Sequence, residues 1–213
     1  MADWSTIASF ATAGGTLVLA AATFSAVRSS NQSARVAERS LLAGLRPVLV
    51  PSRREDPTEK VLFADLKWLH VAGGQATLDV ADDGVIAMTM GIRNVGTGLA
   101  VLRAWRVQPG FVRSADSSDP PPLDSFRRQT RDIYVPAGDS SFWQGAIREP
   151  DDPDRDVILA AITNREGLTI ELLYGDGEGG QRVVSRFAIL PAGDDAWLVS
   201  VSRHWNLDRD DPR

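Results

Sequence analysis

The stretch Ile86-Ala87-Met88-Thr89-Met90-Gly91-Ile92-Arg93-Asn94-Val95-Gly96-Thr97-Gly98-Leu99-Ala100-Val101 decides the fold class. Its large apolar residues, Ile86, Met88, Met90 and Ile92, alternate with Ala87, Thr89, Gly91 and Arg93. That period of two belongs to a strand with one face on a core. Asn94 to Gly98 is rich in the residues that tight turns favour. Beyond it Leu99, Val101, Trp105 and Val107 line one face of a second strand, so the segment predicts a hairpin with a short connection.

Toward the C-terminus the pattern repeats. Leu168, Ile170, Leu172 and Tyr174 share one face, a glycine-rich turn follows at Gly175–Gly180, and Val183, Phe187 and Ile189 line the return strand. Further strands are expected at Val48–Val50, Asp65–Val71, Ala76–Val80, Ser141–Ile147 and Trp197–Trp205. Val157–Thr163 fits either a strand or a short helix. Ser114–Asp124, with Pro120-Pro121-Pro122, reads as a long polar loop, and Leu207–Arg213 as a charged tail. Many short strands separated by glycine turns predict a mainly β body, an antiparallel sandwich of two sheets.

Toward the N-terminus the period changes. Pro47 ends a helical pattern over Arg28–Arg46. At about 100° per residue, Arg28, Arg35, Arg39 and Arg46 fall close to one line, with Val27, Ala34, Leu41 and Leu45 opposite. This stalk could cap its own domain, pair with another helix, or lay its arginines among anionic headgroups. Before it, Trp4–Val27 carries no charged side chain. At about 1.5 Å per residue the run reaches about 36 Å, enough for a hydrocarbon core of about 30 Å. A buried helix or a cleaved signal peptide would be alternatives, but Met-Ala-Asp lacks the basic start of a signal peptide. The reading favoured is a transmembrane helix. Ala11 and Gly15 have the small-xxx-small spacing that lets helices approach, although an alanine-rich helix yields such spacing by composition alone. The basic residues nearest the run all follow it, which places the body in the cytoplasm and the N-terminus outside. The expected organisation is therefore a transmembrane helix (1–27), a basic amphipathic stalk helix (28–46), a β-sandwich (47–206) and a charged tail (207–213).

Composition narrows the function. The 213 residues are 43% hydrophobic and 24% charged, ordinary for a folded protein, and the net charge of −5 argues against a nucleic-acid partner. With no cysteine, thiolate chemistry and Cys-ligated metals are excluded, and His70 and His204 are too few for a multi-histidine site. Gly175-x-Gly177-x-x-Gly180 matches the dinucleotide fingerprint in form, but a strand follows it and Asp176 and Glu178 would repel phosphate. Asp151, Asp152, Asp154 and Asp156 lack the order of a calcium loop and read as a solvated acidic turn. Of the tryptophans, Trp205 is the one expected to be exposed, and the others to pack in the core.

Arg46-Pro47 after a membrane helix, then Ile92-Arg93-Asn94-Val95-Gly96-Thr97-Gly98-Leu99-Ala100, resembles a loose group of uncharacterised bacterial single-pass membrane-anchored proteins, with Leu99 where that group usually has proline. The resemblance implies an Ig-like β-sandwich, makes Asn94, Gly96 and Gly98 a structural turn, and carries over no catalytic residue. The expected function is a membrane-tethered, non-enzymatic interaction or accessory-subunit module facing the cytoplasm. Its expected contacts are Arg28, Arg35, Arg39 and Arg46 toward lipid or partner, and Ala11 and Gly15 toward a second helix. No cofactor or metal is expected. The alternatives are an exported ligand-binding sandwich, with carbohydrate as a candidate ligand, and third a hydrolase.

Overall fold

Helix α1 (Trp4–Gly44) runs for 41 residues without a break. Run and stalk are thus one helix, and it stops at Gly44, where a glycine followed by Pro47 favours termination. Arg46 therefore lies beyond the helix, which corrects the expected line of four arginines. The computed structural model describes residues 4–112, 119–193 and 195–208, and the side chains of 4–12, 39, 42 and 43 lie outside that description. Among the described residues no helix is long and apolar enough to cross a membrane. The transmembrane span expected over 1–27 therefore receives no support from the structure. Ala, Ser, Thr and Gly dilute the Leu17-Val18-Leu19 of that run. Ala11 and Arg39 fall among the side chains outside the description.

The chain divides into two units, Met1–Gly44 and Leu45–Arg213. The second carries β1 (Leu49–Pro51), β2 (Glu59–Leu62), β3 (Trp68–Val71), β4 (Gln75–Val80), β5 (Ile86–Asn94) and β6 (Ala100–Pro109). Then come β7 (Arg127–Val135), β8 (Ser140–Ile147), α2 (Arg155–Thr163), β9 (Leu168–Gly175), β10 (Arg182–Ala192) and β11 (Ala196–Asn206). Val157–Thr163 is thus helical. Strands β2 and β7 escape a hydropathy reading because Glu59-Lys60 and Arg127-Arg128-Gln129-Thr130-Arg131-Asp132 are polar.

Nine strands form one antiparallel sheet, and β2 and β3 pair separately. Along it run β5, β4, β11, β10, β9, β6 and β7, with β8 and β1 also paired to β5. The expected sandwich of two sheets is corrected to a single curled sheet, a half-barrel. The join is narrow: β4 and β11 share only Trp197↔Ala76 and Leu198↔Gln75 in register. Curling brings β6 and β8 together across the core, where the Trp105 and Trp143 rings meet edge to face, centroids 5.4 Å apart.

A second correction concerns the segment that opened the sequence reading. Strands β5 and β6 do not form a hairpin. The neighbours of β5 are β8, β4 and β1, and those of β6 are β9 and β7. Asn94–Gly98 is an arch that carries the chain from one wall of the half-barrel to the other. Met88 and Met90 share one core with Trp105 and Val107 because the two strands face each other across it. The glycine turn at 175–180, in contrast, closes a true hairpin, with Val183 opposite Tyr174 and Ile189 opposite Leu168.

The outer face of β5 is buried as well. The β2–β3 hairpin lays Val61, Phe63, Leu69 and Val71 against Ala87, beside Phe142 and Ala146. Gly91 has no room for a side chain, since a Cβ there would lie 2.3 Å from Ser52 Oγ. Small residues alternate with large ones on β5 because a second layer sits close behind it.

The tip of that hairpin holds one of the two non-glycine residues with positive φ among the described residues, the other being Arg165. Leu66 has φ +62° and is 78% exposed. Its N–H donates to Phe63 O (3.0 Å) and the Phe63 N–H donates to Lys67 O (2.9 Å). The turn demands a left-handed residue, and an exposed leucine returns nothing for the strain. Leu66→Gly should stabilise the protein by about 0.5–1 kcal/mol in equilibrium urea unfolding. A loss of stability would show that Leu66 packs.

Candidate functional site: the cradle of the entry segment

The residues following α1, Leu45 to Leu49, enter the β domain through a cradle built on the arch. Asn94 is its centre and is fully buried. Its Oδ1 accepts from the Val48 N–H (3.1 Å) and the Gly96 N–H (3.0 Å). Its Nδ2 donates to Gly98 O (2.6 Å) and Val135 O (3.0 Å). The side-chain amide thereby fills its full hydrogen-bonding capacity. Backbone bonds complete the hold: the Val95 N–H donates to Val48 O (2.8 Å) and the Thr97 N–H to Arg46 O (3.2 Å).

Gly96 and Gly98 serve close approach. Neither is among the positive-φ glycines, so the backbone is ordinary there. A Cβ on Gly96 would lie 2.2 Å from Arg46 O, and one on Gly98 would lie 1.7 Å from Leu45 O. The asparagine ties the entry segment down, and the glycines let it lie flush against the arch.

A buried relay takes over where the cradle ends. The Leu49 N–H donates to Tyr174 Oη (3.0 Å). Tyr174 Oη lies 2.7 Å from Ser185 Oγ, and Ser185 Oγ lies 2.6 Å from His204 Nδ1. Burial pushes the Tyr174 phenol up to about 12, so the hydroxyl stays protonated. A serine beside a histidine invites comparison with a hydrolase pair. Here Ser185 is fully buried and its hydroxyl is shared with Tyr174, so the pair ties β9, β10 and β11 together out of reach of a substrate.

The other residues singled out by sequence fall as follows. Arg28 and Arg35 lie on α1, as does Gly15, with no heavy atom beside its Cβ position. Arg46 contributes its carbonyl oxygen to the cradle. Part of the acidic turn is clamped: Asp152 and Asp154 bond Arg127, while Asp151 and Asp156 are exposed as expected. Arg127 Nη2 donates to Asp152 Oδ1 (2.7 Å) and Asp154 Oδ2 (2.5 Å), and its Nη1 also bonds Asp152. That guanidinium holds the Asp152 carboxyl below the ordinary carboxylate range. Among the described residues no group of His, Asp and Glu could hold a metal ion.

Trp205 is buried, not exposed, because guanidiniums cover its ring. Arg186 lies 4.7 Å and Arg203 5.3 Å from the ring centroid. Arg186 leads to a network that alternation concealed. Glu171 is fully buried on the face of β9 that looks away from the core, where its Oε1 accepts from Arg186 Nε (2.7 Å). Its Oε2 accepts from Arg106 Nη1 (3.2 Å). Glu171 and Arg186 are direct cross-strand partners, so a strict pairing of the β9–β10 hairpin from its turn would have placed these opposite charges together.

Two outcomes are expected in urea unfolding. Gly98→Ala should cost about 2–3 kcal/mol by forcing the arch off the entry segment, with faster hydrogen exchange at the Val48 and Leu49 amides. Wild-type exchange rates at those amides would mean the cradle does not hold the segment. Glu171→Ala should cost about 3–5 kcal/mol, because it strands buried Arg186, whereas replacing both residues by apolar ones should cost far less. Equal losses would place the penalty in packing rather than charge.

No family model matches the chain, and no curated protein matches it. Among solved structures it is similar to the crystal structure of a protein from Archaeoglobus fulgidus, at 13% identity and a TM-score of 0.26, over 64% of this chain and 94% of that one.

Proposed function

We propose that the chain is a membrane-tethered, non-enzymatic interaction or accessory-subunit module. In this reading α1 is the anchor and the β domain, a curled antiparallel half-barrel, works at the cytoplasmic face. The observation that carries it is the exposure of α1. Leu17, Val18 and Leu19 are successive residues, each about 70% exposed, as is Phe24. Successive helical residues point about 100° apart, so a single protein face could not cover all three, whereas lipid or a bundle of helices could. Two hydroxyls suit an apolar surround: Thr23 Oγ1 donates to Leu19 O (2.8 Å) and Ser25 Oγ to Ala22 O (2.9 Å).

Orientation rests on the arginines. Arg28, Arg35, Arg39, Arg46, Arg53 and Arg54 all follow the uncharged run. Arginine near a membrane helix stays on the cytoplasmic side, so the β domain would lie there with Arg28, Arg35 and Arg39 near headgroups. Ala11 and Gly15 offer a face for a second copy or another membrane helix.

Carbonate washing of membranes should leave the full-length protein in the pellet. A C-terminal fluorescent reporter that matures in the cytoplasm should light up, and a C-terminal alkaline phosphatase should be inactive. Release by carbonate would remove the anchor, and an active phosphatase fusion would place the β domain outside.

A further inference from the structure

The outer face of the β2–β3 hairpin is an aromatic and cationic platform that nothing else in the fold requires. Lys60 pairs with His70 and Leu62 with Trp68 across the hairpin, so these side chains share the solvent face. Lys60, Trp68 and His70 line an open cleft of about 330 Å³. Trp68 is 56% exposed, whereas Trp105, Trp143, Trp197 and Trp205 are all buried. Lys60 and Lys67 are the only lysines of the chain. Lys67 is bonded to Asp79, and among the described residues the side chains of Lys60 and His70 have no hydrogen-bond or ion-pair partner.

The platform is backed by a packed apolar layer. Its inner face packs Val61, Phe63, Leu69 and Val71 against Ala87, beside Phe142 and Ala146. A packed inner face fixes the backbone from which these groups project. At its end the strained, exposed Leu66 departs from what the turn asks for, and such departures gather at functional positions.

We propose that this face binds a saccharide carrying a carboxylate. The apolar face of a sugar ring lies on the Trp68 indole, Lys60 pairs with the carboxylate, and His70 hydrogen-bonds a ring hydroxyl. Charge selects this class. Lys60 supplies a free ammonium for one carboxylate of the chain and Trp68 an apolar surface for the ring that bears it, while Asp65 in the adjoining turn opposes the concentrated double charge of a phosphate. The inference stands apart from the tethering, since it concerns the hairpin alone and not the helix.

The test is calorimetric titration of purified full-length protein in detergent, with tetragalacturonate as probe, neutral galactotetraose as comparison and AMP as competitor class. Tetragalacturonate should bind with quenching of tryptophan emission and weaken as salt is raised. Trp68→Ala should weaken both sugars, by roughly tenfold or more. Lys60→Gln should weaken the acidic sugar roughly tenfold and leave the neutral one nearly unchanged. Both substituted residues are exposed, and an unchanged far-ultraviolet circular dichroism spectrum with an unchanged urea midpoint would confirm folding. Absence of tetragalacturonate binding at millimolar concentration would overturn the proposal. So would undiminished binding by folded Trp68→Ala, or AMP binding more tightly than the sugar. Because the readout is binding by purified protein, failure here leaves the anchor untouched, and failure of the carbonate test leaves the cleft untouched.

Discussion

The Asn94 side chain is the constraint on which the β domain depends. Four backbone groups from separate parts of the chain converge on one amide: Val48 from the entry segment, Gly96 and Gly98 from the arch, and Val135 from the end of β7. The Gly98 and Val135 carbonyls are buried there and would otherwise lack a partner, at a cost of about 1–3 kcal/mol apiece. No other residue offers two acceptor and two donor positions on a stem this short. Asparagine here settles where the chain enters, how it crosses between the walls, and where β7 ends. The glycines beside it follow from the same demand, since the bonds form only if Leu45 and Arg46 lie against the arch.

Polar chemistry governs the rest of the domain to a similar degree. The Glu171, Arg186 and Trp205 group fastens the outer face of β9, β10 and β11, and the Tyr174, Ser185 and His204 chain fastens the inner face of the same strands. Arg127 draws the turn before α2 to β7 and lies 5.6 Å from the Trp105 ring centroid. Each group replaces contact with water by a small set of directed bonds, and such bonds fix register as well as energy.

What the sequence disclosed and withheld divides along physical lines. Period two in Ile86–Ile92 and Leu168–Tyr174 marks strands correctly because one set of side chains enters the core. The same period cannot say which strand lies beside which. The arch and a hairpin turn contain the same residue types, and only the side-chain bonds of Asn94 separate them. Strand β7 was hidden because its early residues face water. Trp205 was misplaced because hydropathy ignores guanidinium cover. The Lys60, Trp68 and His70 platform needs the β2–β3 register, and Glu59–Leu62 is too short and polar to declare itself a strand.

The narrow join between β4 and β11 bears on how the domain comes together. On one side, β9, β10 and β11 follow each other in sequence and close by short turns. On the other, β1 must find β5 across more than forty residues, as Leu49↔Asn94 shows. Closing a long loop costs more chain entropy than closing a short one, and that cost falls before the contacts repay it. The wall that carries Asn94 thus combines one local pairing, the β4–β5 hairpin, with one distant pairing, β1 on β5, whereas the β9–β11 meander is local throughout.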